Sequence, residues 1–155
     1  RANGHNTGII MMEHTTQITV RYYETDQMGV VHHSNYIRYF ETAREEMMAH
    51  FGVPYTFSES QGIIMPVRVV HCDYIHPARY GQVLTVITTV KEMPRSRITY
   101  HYQVFNDTSV LLATGYVTLA FVDASRSVPV RAPRFLTEVW EKYLNLNKTK
   151  QQENV

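Results

Sequence analysis

Hydrophobic and polar positions first alternate over 17–22, with Ile18, Val20 and Tyr22 on one face and Thr19 and Arg21 on the other. That period of two predicts a half-buried strand. From 34 to 51 the period lengthens: Tyr36, Phe40, Ala43 and Met47 recur at helical spacing, while Arg38, Glu41, Thr42 and Glu45 take the other side. Ser34 or Asn35 suits the start of this helix, Gly52 the position after its last turn, and Pro54 forbids continuation. Four strands are predicted next, at 63–74 (broken near its start by Pro66), 83–91, 97–106 and 110–122. Residues 92–96 and 106–109 supply turn chemistry between them. Ile98, Tyr100, Tyr102 and Val104 share one face of their strand. Leu111, Ala113, Gly115, Val117, Leu119 and Phe121 do the same in the last one. Pro133 then opens a short helix carrying Leu136, Val139, Trp140, Tyr143 and Leu144 on one stripe.

The order strand, helix, four strands, helix predicts an α+β domain, an antiparallel five-stranded sheet packed on one long helix. A length of 155 residues fits one domain. The expected boundaries are a flexible leader or expression remnant over 1–11, with Met11 or Met12 as the candidate start, a single domain over 12–146 including the C-terminal helix, and a disordered polar tail over 147–155.

Composition narrows the classes. Hydrophobic residues at 44% and charged residues at 19% describe a folded chain. A net charge of +1 with scattered basic residues argues against a nucleic-acid footprint. The single Cys72 cannot close an internal disulfide, which fits a reducing cytoplasm. No apolar run reaches the ~18 residues of a membrane span, and the start lacks the order of a signal peptide.

The chemistry concentrates in Tyr22-Tyr23-Glu24-Thr25-Asp26-Gln27-Met28-Gly29-Val30-Val31-His32-His33-Ser34-Asn35-Tyr36, where the strand pattern passes into the helix pattern. A carboxylate just ahead of a helix N-terminus is useful. The free N–H groups there can hold an oxyanion while the carboxylate works on water or substrate. Asp26 is the better candidate; by position alone it could equally cap a turn before Gly29. Glu24, nearer the strand, reads as solvated charge. His32 and His33 invite a metal reading, but no third ligand stands at a recurring spacing, so no metal is expected.

This segment, with Tyr39-Phe40-Glu41-Thr42-Ala43-Arg44, resembles the signature of the hotdog-fold acyl-CoA thioesterases, the 4-hydroxybenzoyl-CoA thioesterase and YbgC-like group. The resemblance implies a hotdog fold, with the sheet curled around the long helix, and a homo-oligomer (dimer or dimer of dimers) with active sites at the subunit interface. It implies hydrolysis of an acyl-CoA thioester to an acid and free CoA, without a cofactor. Asp26 becomes general base or nucleophile. The His33 backbone N–H becomes the oxyanion donor at the helix start, and Gly29, Val30 and His32 become parts of the substrate-binding segment. Tyr22 matches a tyrosine of the pattern, which orients Asp26 or serves only as core. Arg95, Ser96 and Arg97, in a loop between strands, are the expected grip on the CoA phosphates, with Arg126 and Arg131 as second choices. Glu41 and Arg44 stand three apart on the helix and are expected to pair structurally. Glu41 stays a minor catalytic candidate, because a related branch of the superfamily takes its carboxylate from this helix. The alternatives are a hotdog hydratase or dehydratase on acyl thioesters, and a non-catalytic binding module for acyl-CoA or acyl-carrier protein. An acyl-carrier-protein thioester is a second substrate form.

Overall fold

The computed structural model describes residues 12–154. The chain runs β1 (Met12–Thr19), α1 (Asn35–His50), α2 (Tyr55–Ser60), β2 (Ile63–Ile64), β3 (Val67–Tyr74), β4 (Val83–Val90), β5 (Arg97–Phe105), β6 (Leu111–Ala120), β7 (Val122–Asp123), β8 (Val128–Pro129) and α3 (Arg134–Glu153). The five long strands form one antiparallel sheet in the order β1-β4-β5-β6-β3. β2, β7 and β8 make a small second sheet. The domain is α+β with the hotdog arrangement, the large sheet wrapping α1.

Alternation decides which faces meet. Leu84, Val86, Thr88 and Val90 of β4 are buried, as are Ile98, Tyr100, Tyr102 and Val104 of β5. Against them α1 presents Tyr36, Tyr39, Phe40, Ala43 and Met47, all buried. Phe40 and Met47 each contribute ~1.5–3 kcal/mol on full burial. Phe40 stacks on Tyr102 with ring centroids 4.2 Å apart. Gly115 makes this approach possible: a Cβ there would stand 2.7 Å from Phe40 Cε2 and press on the His71 carbonyl. Leu136 and Trp140 of α3 are buried too, and Phe51 meets Trp140 and Tyr143.

Several boundaries differ from the pattern. β1 begins at Met12 and ends at Thr19, because buried Thr16 and half-buried His14 continue the inward face with polar side chains that hide the alternation. Tyr22 does not belong to that strand. It opens a 3-10 turn over Tyr22–Glu24 and is 77% exposed. Pro66 splits the expected 63–74 strand into β2 and β3. The 110–122 strand ends at Ala120, and α2 has no counterpart in the pattern. The tail expected to be disordered from Asn147 instead continues α3 to Glu153. The leader over 1–11 lies outside the described residues. Among the described residues no helix is long and apolar enough to cross a membrane.

β3 is an edge strand with Val67, Val69, Val70 and Tyr74 exposed. It stands next to the N-terminal half of α1, and this side of the domain carries the candidate site.

Candidate active site

The loop from Arg21 to Ser34 is held by Glu24. Its backbone carbonyl accepts hydrogen bonds from His32 N–H at 2.9 Å and from Asn35 Nδ2 at 2.8 Å. Its carboxylate accepts from Arg21 N–H at 2.7 Å and from the Tyr39 hydroxyl at 3.1 Å. Glu24 is therefore buried, with Oε1 taking both side-chain bonds, which corrects its reading as solvated charge. Burial, reinforced by the Glu24 charge, raises the Tyr39 phenol well above its ordinary range, so it stays a proton donor.

Within the loop held this way, the chain reverses at Gly29, whose φ of 76° favours glycine. Gly29 N–H reaches Asp26 O at 3.0 Å, and Asp26 N–H reaches Val30 O at 2.8 Å. The turn aims two backbone donors at the Asp26 side chain: Met28 N–H to Oδ1 at 2.8 Å and Val30 N–H to the same oxygen at 3.4 Å. Oδ2 has no hydrogen-bond partner among the described residues. The capping role for Asp26 is thus real, and it occupies one carboxylate oxygen while leaving the other available.

Asp26 and His33 come together on the wall of one cavity of about 320 Å³, completed by Val31, Tyr36, Tyr74, Ile75, His76 and Pro77. His33 lies at the start of α1, and its backbone N–H makes no hydrogen bond among the described residues. Its carbonyl accepts the Tyr74 hydroxyl at 3.0 Å, which fixes the peptide from the β3 side. Desolvation, helped by the neighbouring Cys72, pushes the Tyr74 phenol up to about 12. Ser34 stands at the helix cap position without capping; its hydroxyl meets His32 Nδ1 at 2.8 Å instead. The N–H groups of Ser34, Asn35 and Tyr36 bond back to His32 and His33, so the His33 N–H is the unpaired donor at the start of this 16-residue helix, whose N-terminal end carries a partial positive charge. His32 has a different part: its N–H is spent on Glu24 and its exposed ring lies 4.1 Å from that of His33.

Other predicted residues fall elsewhere. Tyr22 packs edge-on against Tyr80 at 5.7 Å and makes no hydrogen bond to Asp26. Arg95, Ser96 and Arg97 line a separate cavity of about 950 Å³ with Lys91 and His101. Arg97 pairs with Ala120, while Tyr74 pairs with Ala113, so these arginines sit at the far end of the sheet from the Asp26 cavity. Seven strand residues at ~3.3 Å each separate the two ends by roughly 23 Å. Arg131 lines a cavity beside Arg95, and Arg126 is engaged by Asp123 at 3.2 Å. Glu41 and Arg44 form no ion pair among the described residues, against the expected pairing: Arg44 turns inward and is buried, while Glu41 is exposed. No group of three metal-ligating side chains occurs among the described residues. His76 joins the Asp26 cavity, and His71 lies apart with Asp73 at 2.9 Å. Tyr74 carried no sequence signal for this site, and His76 was legible only as a histidine beside a strand that could approach His32 and His33, since the β3–β6 pairing is what brings this end of β3 to α1.

The profile of the Thioesterase-like superfamily matches residues 20–140. The YbgC acyl-CoA thioesterase of Haemophilus influenzae is 30% identical over 118 residues, covering 76% of this chain and 86% of that protein. The YbgC acyl-CoA thioesterase of Helicobacter pylori strain 26695 is 27% identical over 128 residues, covering 77% and 94%. The solved DHNA-CoA thioesterase of Staphylococcus aureus superposes with a TM-score of 0.78 at 32% identity, covering 92% of this chain and 95% of that one. With a profile match across most of its length and the same fold around the same helix, this chain belongs to the thioesterase-like superfamily and is a thioester hydrolase.

Proposed function

We propose that the enzyme hydrolyses acyl-CoA thioesters to a carboxylic acid and free CoA, with Asp26 as base or nucleophile and the start of α1 as oxyanion hole. The observation that carries this reading is the shared cavity. One Asp26 oxygen is tied down by backbone N–H groups and the other has no hydrogen-bond partner among the described residues, while Asp26 and His33, whose backbone N–H is also free, line one cavity. A thioester carbonyl seated there has a donor for its oxygen and a carboxylate near its carbon. In the general-base form, water loses a proton to Asp26 as its oxygen bonds to the carbonyl carbon. The C–S bond then breaks and the CoA thiolate takes a proton on leaving. In the nucleophilic form, Asp26 itself bonds to the carbon, the C–S bond breaks to release the CoA thiolate, and water hydrolyses the resulting anhydride to the acid and the free Asp26 carboxylate. His33 N–H supports the oxyanion in both, a contribution of ~3 kcal/mol for one such donor.

The separation of Arg95 and Arg97 from Asp26 supports a two-subunit site. Within one chain they line a cavity separate from the one at Asp26, at the opposite end of the sheet. A second copy joined at the exposed edge of β3 supplies them from the other side, which favours a homodimer or a dimer of dimers.

The test is release of free CoA from short, medium, long and aromatic acyl-CoAs by wild type and Asp26→Asn. Asparagine keeps the turn's acceptor oxygen and removes the charge. kcat should fall at least ~10²-fold, with folding and acyl-CoA binding retained. Turnover by Asp26→Asn within a few-fold of wild type would remove this mechanism.

A further inference from the structure

A further cavity of about 230 Å³ opens between α1, α2 and the start of β3, lined by Arg44, Tyr55, Ser58, Met65 and Val67 among others. Arg44 is 5% exposed and Ser58 is 2% exposed. Arg44 Nε, the Tyr55 and Tyr102 hydroxyls and the Ser58 hydroxyl are all buried without a hydrogen-bond partner among the described residues. The two phenols approach the guanidinium but do not meet hydrogen-bond geometry. Burial raises both phenols above their ordinary range despite the nearby guanidinium, so both remain donors. The buried atoms without a partner are thus one guanidinium N–H, at Nε, and three hydroxyls, each of which is both donor and acceptor. Leaving a buried cation and several donors unmet is costly. The cluster is complementary to a group with acceptors and a negative charge, and a carboxylate offers both in the fork geometry that arginine favours. Glu41 and Glu59 also line this cavity, but both are exposed and neither forms an ion pair with Arg44.

The place of the cavity links it to the reaction. Val67 and Leu119 line it, so it lies at the end of β3 opposite Tyr74. Two copies joined through β3 by a two-fold axis perpendicular to the sheet run these strands antiparallel. The Val67 end of one protomer then lies beside the Tyr74 end of its partner, where the partner's Asp26 cavity opens. Building on acyl-CoA hydrolysis as the activity, we infer that the Arg44 cavity is a carboxylate subsite for the distal end of the acyl group, selecting mono-CoA thioesters of dicarboxylic acids.

The experiment compares matched substrates, glutaryl- with pentanoyl-CoA, adipoyl- with hexanoyl-CoA and suberyl- with octanoyl-CoA, by kcat/KM. Wild type should favour the carboxylated member of at least one pair by about tenfold or more, the scale of a charged hydrogen bond in a shaped pocket. Arg44→Met should collapse that ratio, chiefly through KM, while Arg44→Lys retains part of it. Wild-type turnover of the neutral thioesters with no preference for any carboxylated partner overturns the subsite and leaves thioester hydrolysis standing. That comparison does not depend on the folding of Arg44→Met. Failure to release CoA from all six substrates overturns the underlying activity, and the subsite with it. A preference that survives Arg44→Met in a folded protein also overturns the assignment.

Discussion

The bond between Glu24 and Tyr39 ties the Asp26 loop to α1, and its strength can be measured. The hydroxyl of Tyr39, a residue 2% exposed, donates to Glu24 Oε1 at 3.1 Å, and the same carboxylate oxygen accepts from Arg21 N–H at 2.7 Å. A hydrogen bond to a charged acceptor is worth ~1.5–3 kcal/mol, and a buried donor left unpaired costs ~1–3 kcal/mol. Tyr39→Phe should therefore cost ~1.5–3 kcal/mol, since it strips the carboxylate of one of two partners. Glu24→Ala leaves the buried Tyr39 hydroxyl unmet, while the exposed Arg21 N–H can turn to water, and should cost ~1–3 kcal/mol, a sizeable share of the ~5–15 kcal/mol typical of a domain. The clean measurement is a double-mutant cycle of Glu24→Ala and Tyr39→Phe by urea unfolding, with m-values checked for equality. A coupling of ~1 kcal/mol or more is expected. Because Asp26 lies in the loop that Glu24 holds, Glu24→Ala should also lower kcat in whatever fraction remains folded. Coupling within ~0.3 kcal/mol of zero would refute the tie, since that is the scatter of independent sites.

Gly115→Ala should cost ~1–3 kcal/mol, the range for overpacking a filled core, because the new Cβ meets the Phe40 ring and the His71 carbonyl. A melting temperature equal to wild type would contradict that packing. Alkaline stability follows from Tyr36, Tyr39, Tyr55, Tyr100 and Tyr102, all raised above 10.0 with burial as the leading cause. Above about pH 10 the unfolded chain loses these protons while the folded chain keeps them, so stability present below that pH is lost as pH rises. The urea midpoint should fall between about pH 9 and 11, and Tyr100→Phe should flatten the fall; a flat wild-type midpoint contradicts it.

The long helix, the succession of strands, the turn at Gly29 and the candidacy of Asp26 were legible in the sequence because each rests on local period or local turn chemistry. α1 spans Asn35–His50 within the expected 34–51, and the chain turns with a φ of 83° at Gly52. What depends on distant neighbours was not legible. Glu24 reads as a surface charge until α1 places the Tyr39 hydroxyl over it, and Tyr22 reads as part of an apolar face until the strand ends at Thr19. Glu41 and Arg44 have the spacing of a surface pair, yet the sheet and α2 enclose the arginine and leave the glutamate outside. Strand register decided the rest. The pairing of β3 with β6 carries Tyr74 and His76 to the start of α1 and places Arg95 and Arg97 at the opposite end of the sheet. Period tells which face of an element is apolar. Only the packed sheet, which sets register and end-to-end direction together, decides which of those residues meet.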